Sequence, residues 1–442
     1  MPVRINIEET SQKLSARGGL VLWREVLDQL GLEKKLTMAL PTYKIATAAT
    51  SYEKFEAMVL GLAGGGDCLD EMDRLAGDPA FEAVTGELVT ARTYGDFLRL
   101  FDGQLLKNLQ YALIDNAIEL RTRLGLLGDS YTLKLDSTDH KQHGEKMEGL
   151  ETNYKGNWGL DSLVGFDELG FQLWSRVRKG ATFTANGSAE VIHEVFKRLP
   201  RKMKRLVLAD SGFCNFAFFN ACANAQAKFA CAMRKLMFEP LLGRVSHWHK
   251  TKTVLFYDGR ECEIGSCIYR PKACRETLRV VFIRALRPKE QEKALFDDAR
   301  YDYHAWVTNV GEHDGLKNED VILWYRKRSN IERFIAEMKN GFDLKHLPCH
   351  SLKANRAYAL MAAFAQNLVR YTAYVENPTR PNFAKVLRFK MLMLPVQVVR
   401  HARSVSFRFM SHHRQEVEHW LKTIKSQFGY VCMDSTAAPP AL

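Results

Sequence analysis

Apolar residues recur every three or four positions in "GGLVLWREVLDQLGLEKKL" and "SYEKFEAMVLGLA", and this spacing predicts helices through residues 1–125. "TARTYGDFLRLF" opens on a threonine suited to capping a further helix. The Gly-rich break in "GLAGGGDCLDEMDRLAGDP" is not a phosphate loop, because no Gly-Lys-Ser/Thr follows it. Near residue 129 the period falls to two. "YTLKLDSTD" (131–139) predicts a strand with Leu133 and Leu135 on one face, and "SLVGFDELGFQLWSRVRKG" (162–180) predicts two strands joined at "DELG". "SAEVIHEVFKRL" (188–199) predicts a helix capped by Ser188, and "RLVLADSGF" (205–213) a buried strand ending at Asp210. "NFAFFNACANAQ" then predicts a helix and "KFACAMR" (228–234) a strand. Residues 237–302 are β-rich and irregular, and "YHAWVTN" (303–309) resumes a buried strand that feeds a helix over Tyr325–Lys339. A second helix near 353–374 and a basic tail with strand-like "SVSFRF" follow.

The length of 442 residues allows two or three domains. No apolar run approaches the roughly 20 residues of a membrane span. The first twenty residues carry Arg4, Glu8, Glu9, Lys13 and Arg17 rather than an apolar secretory segment, so a cytoplasmic protein is expected. Nine scattered cysteines argue against a disulfide framework. Cys262, Cys267 and Cys274, near His247 and His249, lack the Cys-x2-Cys spacing of common zinc sites. Net charge is +12, and residues 321–430 alone hold 19 Lys/Arg against 6 Asp/Glu. So local an excess reads as the footprint of a polyanion such as nucleic acid, or else as a solvated basic face.

Within that basic stretch, "YRKRSNIERFIAEMK" places Tyr325, Arg328, Glu332 and Lys339 on one narrow face of a straight helix, at about +20°, −40°, 0° and −20°. Beside it runs an apolar stripe of Trp324, Ile331, Ile335, Met338 and Phe342. A carboxylate flanked by cations suits a metal ion beside a bound phosphate. Two more acids stand where strands are predicted to end, Asp136 in "LKLD" and Asp210 in "LVLAD". Two-metal phosphoryl chemistry requires two or three carboxylates from different elements converging on cations about 3.5–4 Å apart. Each aspartate alone reads more readily as a turn or cap residue. A salt-bridged amphipathic helix accounts for Arg328 and Glu332 as an i, i+4 pair, but not for Tyr325, Lys339 or the two aspartates. Asp139 and His143 are either supporting groups or plain loop polars.

The helix reads Tyr-x2-Arg-x3-Glu-x6-Lys, and with it the chain resembles bacterial insertion-sequence transposases of the DDE class. "LKLDSTDHKQHGEKMEGLETNYKGNWG", "VRKGATFTANGSAEVI", "LADSGFCNFAFFNA", "DEMDRLAGDPAF" and "LPCHSLKANRAYALMAAFAQNLVRY" resemble the insertion sequence 1380 family in particular, over roughly residues 60–375. Lys134 and Ala209 depart from the acid and the arginine frequent there among relatives. The resemblance implies an α/β fold. It comprises a helical DNA-end-binding region (1–125), a ribonuclease-H-like core (126–236 and 303–375) interrupted by a β-rich insertion (237–302), and a basic C-terminal region (376–442). It implies that Asp136, Asp210 and Glu332 bind two Mg²⁺ ions, for which Mn²⁺ can substitute. It further implies that Tyr325, Arg328 and Lys339 grip DNA phosphates and that Trp248 braces a flipped base, although Trp248 reads equally as a packing residue. The expected partner is double-stranded DNA, both terminal inverted repeats and target, met by a homodimer. The expected activity is cut-and-paste transposition, with a nuclease of the same fold and a non-catalytic DNA-binding regulator as rivals.

Overall fold

Leu133 and Leu135 are fully buried on the strand whose alternation is clearest, and the sheet is built outward from it. The computed structural model describes residues 7–43, 49–86, 88–288, 300–311, 314–402 and 404–429. Residues 289–299 of the expected insertion and 430–442 of the expected C-terminal region lie outside these. The chain forms two compact units, one of residues 113–119 and 126–336, the other of 1–112, 120–125 and 337–442.

The first unit holds a mixed ten-stranded sheet. Its strands are β1 (Ser130–Lys141), β2 (Glu151–Thr152), β3 (Trp158–Phe166), β4 (Gln172–Lys179), β5 (Lys204–Ala209) and β6 (Ala227–Ala232), followed by β7 (His249–Thr251), β8 (Cys262–Tyr269), β9 (Leu278–Leu286) and β10 (Tyr301–Thr308). The order across the sheet is β2-β3-β1-β5-β6-β10-β9-β8-β7, with β4 also paired to β3. β1, β3 and β4 run antiparallel, whereas β5 and β6 lie parallel to β1. The parallel steps need crossover connections, supplied by helices α1 (Ser188–Lys197) and α2 (Phe216–Asn224). The cap of α1 is Gly187, in left-handed geometry, and not Ser188, which is already helical and buried. Asn215 caps α2 by accepting the Phe218 N–H at 2.9 Å.

In the second unit a 25-residue helix, Leu352–Glu376, is buried on almost every side. Phe364 meets Phe55 of helix Ser51–Ala63 edge-on at 5.2 Å, and Trp23 Nε1 donates to Thr372 Oγ1 at 3.1 Å. An antiparallel three-stranded sheet joins Leu14–Ser15, Val396–His401 and Ser404–Phe409. No helix among the described residues is long and apolar enough to cross a membrane.

The turn between β3 and β4 bears directly on the chemistry below. Gly170 has φ +91°, and a Cβ there would lie 2.6 Å from the Phe334 ring, which is buried two residues beyond Glu332. Gly170→Ala should therefore destabilise the chain by about 2 kcal/mol or more through left-handed strain and overpacking. A lower urea midpoint with an unchanged slope would report this, and an unchanged midpoint would refute it.

Candidate active site

Asp136 lies inside β1 rather than at its end. Parallel pairing with β5 stops at Leu135 opposite Ala209, while antiparallel pairing with β3 continues to Lys141. One flank of Asp136 is therefore open, and Asp210 is the next residue across it. Asp210 caps a 3₁₀ turn, Ser211–Phe213, by accepting the Gly212 N–H at 2.9 Å. Its backbone carbonyl accepts the Cys231 thiol at 3.1 Å.

The helix expected over Tyr325–Lys339 is not uniform. It consists of α3 (Asn318–Arg326), a 3₁₀ turn over Lys327–Asn330, and α4 (Ile331–Gly341). Four residues at about 120° each, rather than 100°, rotate α3 by roughly 80° against a straight helix. The single narrow face read from the sequence is thus split. Ser329 and Asn330 are weak helix formers, which favours the tighter turn. The turn carries Arg328 to Asp136, where Nη2 donates to Oδ2 at 2.7 Å, while the Ser137 N–H donates to Oδ1 at 2.8 Å. Arg328 is buried, and its Nε has no hydrogen-bond partner. Glu332, in the first turn of α4, is exposed.

Burial pushes the Asp136 carboxyl up to about 6; Arg328 opposes the rise, and the charges of Asp210 and Glu332 reinforce it. Asp136 thus lies within electrostatic reach of both other acids. Burial disfavours charge on Arg328, yet Asp136, Tyr325 and Asp210 leave its pKa above the ordinary value. Lys134, two residues before Asp136, is fully buried and lowered to about 8, chiefly by that burial. Its Nζ donates to the Lys327 carbonyl and to Asn330 Oδ1.

Three carboxylates are the hard oxygen donors that Mg²⁺ prefers, and in kind they fit a divalent cation. Among the described residues, however, no three acidic, His or Cys side chains stand close enough together to hold one. Both oxygens of Asp136 are already engaged, one by Arg328.

Of the other expected site residues, Tyr325 is half-buried with its ring 5.8 Å from that of Trp306. Burial raises its hydroxyl pKa, and Arg328 opposes this. Lys339 lies in the last turn of α4, half-buried. Trp248 stacks under the Arg284 guanidinium at 4.3 Å, its ring 6.2 Å from Phe282 and 6.1 Å from Tyr303. Asp139 accepts from Asn157 Nδ2 at 2.7 Å. Tyr257, on the loop between β7 and β8, did not stand out in the sequence. It is 58 % exposed, packs edge-on to His304 at 4.6 Å, and lies within electrostatic reach of Arg326 and Arg328. Only the pairing that joins β10 to β6 makes its position visible.

A family model described as transposase DDE domain group 1 matches residues 2–427. No curated protein matches the chain.

The charge balance yields a test. The folded pKa of Asp136 lies above its ordinary 3.8, so the cost of holding it ionised is fully present above about pH 6 and fades as pH falls toward 4. Asp136→Asn should stabilise the metal-free protein at pH 7.5 by on the order of 1–3 kcal/mol, with the gain shrinking at pH 5. Thermal unfolding in a chelator across this range measures it. A variant less stable than wild type at pH 7.5 would mean that the Arg328 pair dominates.

Proposed function

The chain belongs to the transposase DDE domain family matched over residues 2–427, and from that premise we propose that it cuts insertion-sequence ends by metal-dependent phosphodiester hydrolysis and joins the 3′-hydroxyls to target DNA. The observation that carries this reading is the placement of Asp136 on β1 beside Asp210, the first residue beyond the end of the parallel strand β5, with Glu332 within electrostatic reach of Asp136 and a buried arginine bonded to it. The order β4-β3-β1-β5-β6, three antiparallel strands followed by two parallel ones, supports a ribonuclease-H-like core. The resemblance to the insertion sequence 1380 family, with its Tyr-x2-Arg-x3-Glu-x6-Lys signature, belongs to the same proposal.

Asp136, Asp210 and Glu332 would hold the divalent ions, taken to be two Mg²⁺ with Mn²⁺ as a substitute. When bound, such ions activate the attacking oxygen and stabilise the leaving one. Arg328, whose Nε is an unsatisfied buried donor, would turn from Asp136 to a phosphate oxygen. Tyr325 and Lys339 would complete the grip on the backbone. Trp248 or the more exposed Tyr257 would meet an unstacked base. The helical region 1–125 and the basic C-terminal region would recognise inverted repeats, and two copies would hold two ends together. A protein of this kind would work in the bacterial cytoplasm at the nucleoid.

Cleavage of DNA bearing the element's own ends, with Mg²⁺ or Mn²⁺, tests the proposal. Asp136→Ala and Glu332→Ala should each lower the cutting rate by at least roughly a hundredfold while leaving DNA bound. Joined products separate a transposase from a nuclease, whereas binding without cutting, indifferent to both substitutions, would identify a regulator. A second expectation concerns Arg328. With that residue removed, Asp136 Oδ2 is released, so Arg328→Gln should bind Mn²⁺ without DNA about three- to tenfold more tightly than wild type. Electron paramagnetic resonance of free Mn²⁺ reads this directly, and equal affinities would refute it.

A further inference from the structure

We propose that Lys134 is a positioning residue for this centre: its ammonium group clamps the Lys327–Asn330 turn to β1 and thereby sets where Arg328 and Glu332 stand against Asp136. This rests on the reading of the site as a metal-dependent phosphodiester centre.

In a continuous α-helix the Lys327 carbonyl would accept the N–H of Ile331. Here the Ile331 N–H turns to Arg328, one residue nearer, in the 3₁₀ manner. The Lys327 carbonyl freed by that tightening accepts from Lys134 Nζ, and the same nitrogen donates to Asn330 Oδ1. Lys134 is only 1 % exposed. A lysine is rarely buried unless its head is fully bonded, since desolvating an ammonium is costly. Both of its acceptors lie on the one turn that bears Arg328 and leads into Glu332.

Geometry then links the clamp to the site. Lys134 and Asp136 are two residues apart on β1 and so point to the same face of the sheet. Lys134 holds the turn from one position, and Arg328 grips Asp136 from the other at 2.7 Å. The carboxyl group of Glu168 is tied to the same strand by the Thr132 N–H at 3.1 Å. Without the ammonium, the Lys327 carbonyl can return to a regular helical bond with Ile331. The turn would relax, and α3 would rotate relative to α4 by the angle that the 3₁₀ geometry now absorbs. The Lys134 clamp is therefore a switch between two backbone hydrogen-bond patterns, and only one of them presents Arg328 to Asp136.

The test uses the full chain with DNA carrying the element's ends. Lys134→Met keeps the length and apolar bulk of the side chain and removes its donors. At saturating DNA it should cut about ten- to a hundredfold more slowly, because small misplacements of reacting groups are costly. DNA affinity by fluorescence anisotropy should stay within about twofold. In the DNA complex, the Mn²⁺ dissociation constant read by electron paramagnetic resonance should rise about tenfold, which a purely structural role would not cause. Asn330→Ala should slow cutting in the same sense and add little in the Lys134→Met background, since both act through one clamp. If Lys134→Met does not fold, Asn330→Ala decides, and unchanged cutting and Mn²⁺ affinity there overturn the proposal. Lys134→Met cutting at the wild-type rate, or losing DNA and metal affinity only in proportion to lost folded protein, also overturns it. A wild-type chain that cuts nothing overturns the underlying reading, and this inference with it.

Discussion

The ion pair between Arg328 and Asp136 governs the site, because both groups are largely withdrawn from water and, among the described residues, neither forms another ion pair. Removing an ion from water costs several kcal/mol even after relaxation, and pairing repays part of that cost to each partner. Yet the pair is incomplete. Asp136 remains hard to ionise because burial disfavours its charge more than one guanidinium offsets, and Asp210 and Glu332 add negative charge beside it. Arg328 meanwhile keeps a buried Nε with nothing to bond. A cation for the carboxylates and an anion for the arginine would resolve both deficits together. Under the proposed function those two roles fall to a metal ion and a phosphate.

The backbone creates that situation by two irregularities. The first is the early end of β5, which leaves β1 paired on one side only beyond Leu135 and opens a flank for Asp136. The second is the tightened turn between α3 and α4. Each departs from the ideal element, and each is held by a specific contact: the Asp210 cap on Gly212 in one case, the Lys134 ammonium in the other. Phe334 anchors the start of α4 by packing on the Phe166 ring at 5.7 Å, over the glycine turn that closes the β3–β4 hairpin.

These irregularities mark where the sequence ceased to be legible. The strands at 130–141 and 172–179 lie close to where alternation and turn residues predict them, that at 158–166 begins four residues before the predicted 162, and that at 204–209 stops one residue short of Asp210. Asp136 was read as ending its strand because a single strand's pattern does not reveal where its neighbour stops. The 3₁₀ turn was missed because "YRKRSNIERFIAEMK" holds no glycine or proline, and Ser329 and Asn330 are only mildly unfavourable to helix. Lys134 looked like the polar member of an alternating strand, yet it is as buried as the leucines beside it. Burial of a lysine depends on partners nearly two hundred residues away, and no local window contains them. The candidate carboxylates could be singled out for the opposite reason, because their spacing and flanking residues are local.

The insertion shows why a sheet can carry chemistry beyond its core. β10 pairs antiparallel with β6, Trp306 lying opposite Ala232, so the chain from Trp306 back to Tyr301 runs past the end of β6 on the side of Asp210. Five residues at about 3.4 Å each carry it roughly 17 Å farther. β9 follows it to Leu286, and on this extension stand Tyr301, Tyr303, His304 and Arg284, with Trp248 and Tyr257 against them. Nearby cations are paired to acids, Arg284 to Glu263 and both Arg260 and Arg287 to Asp302. What this extension offers a ligand is therefore aromatic surface more than free charge. Continuous strand pairing places that surface at the carboxylate end without requiring a hinge or a separate domain contact. The β-rich residues read as an insertion in the sequence thus supply β7, β8 and β9, the outer strands on one side of the same sheet.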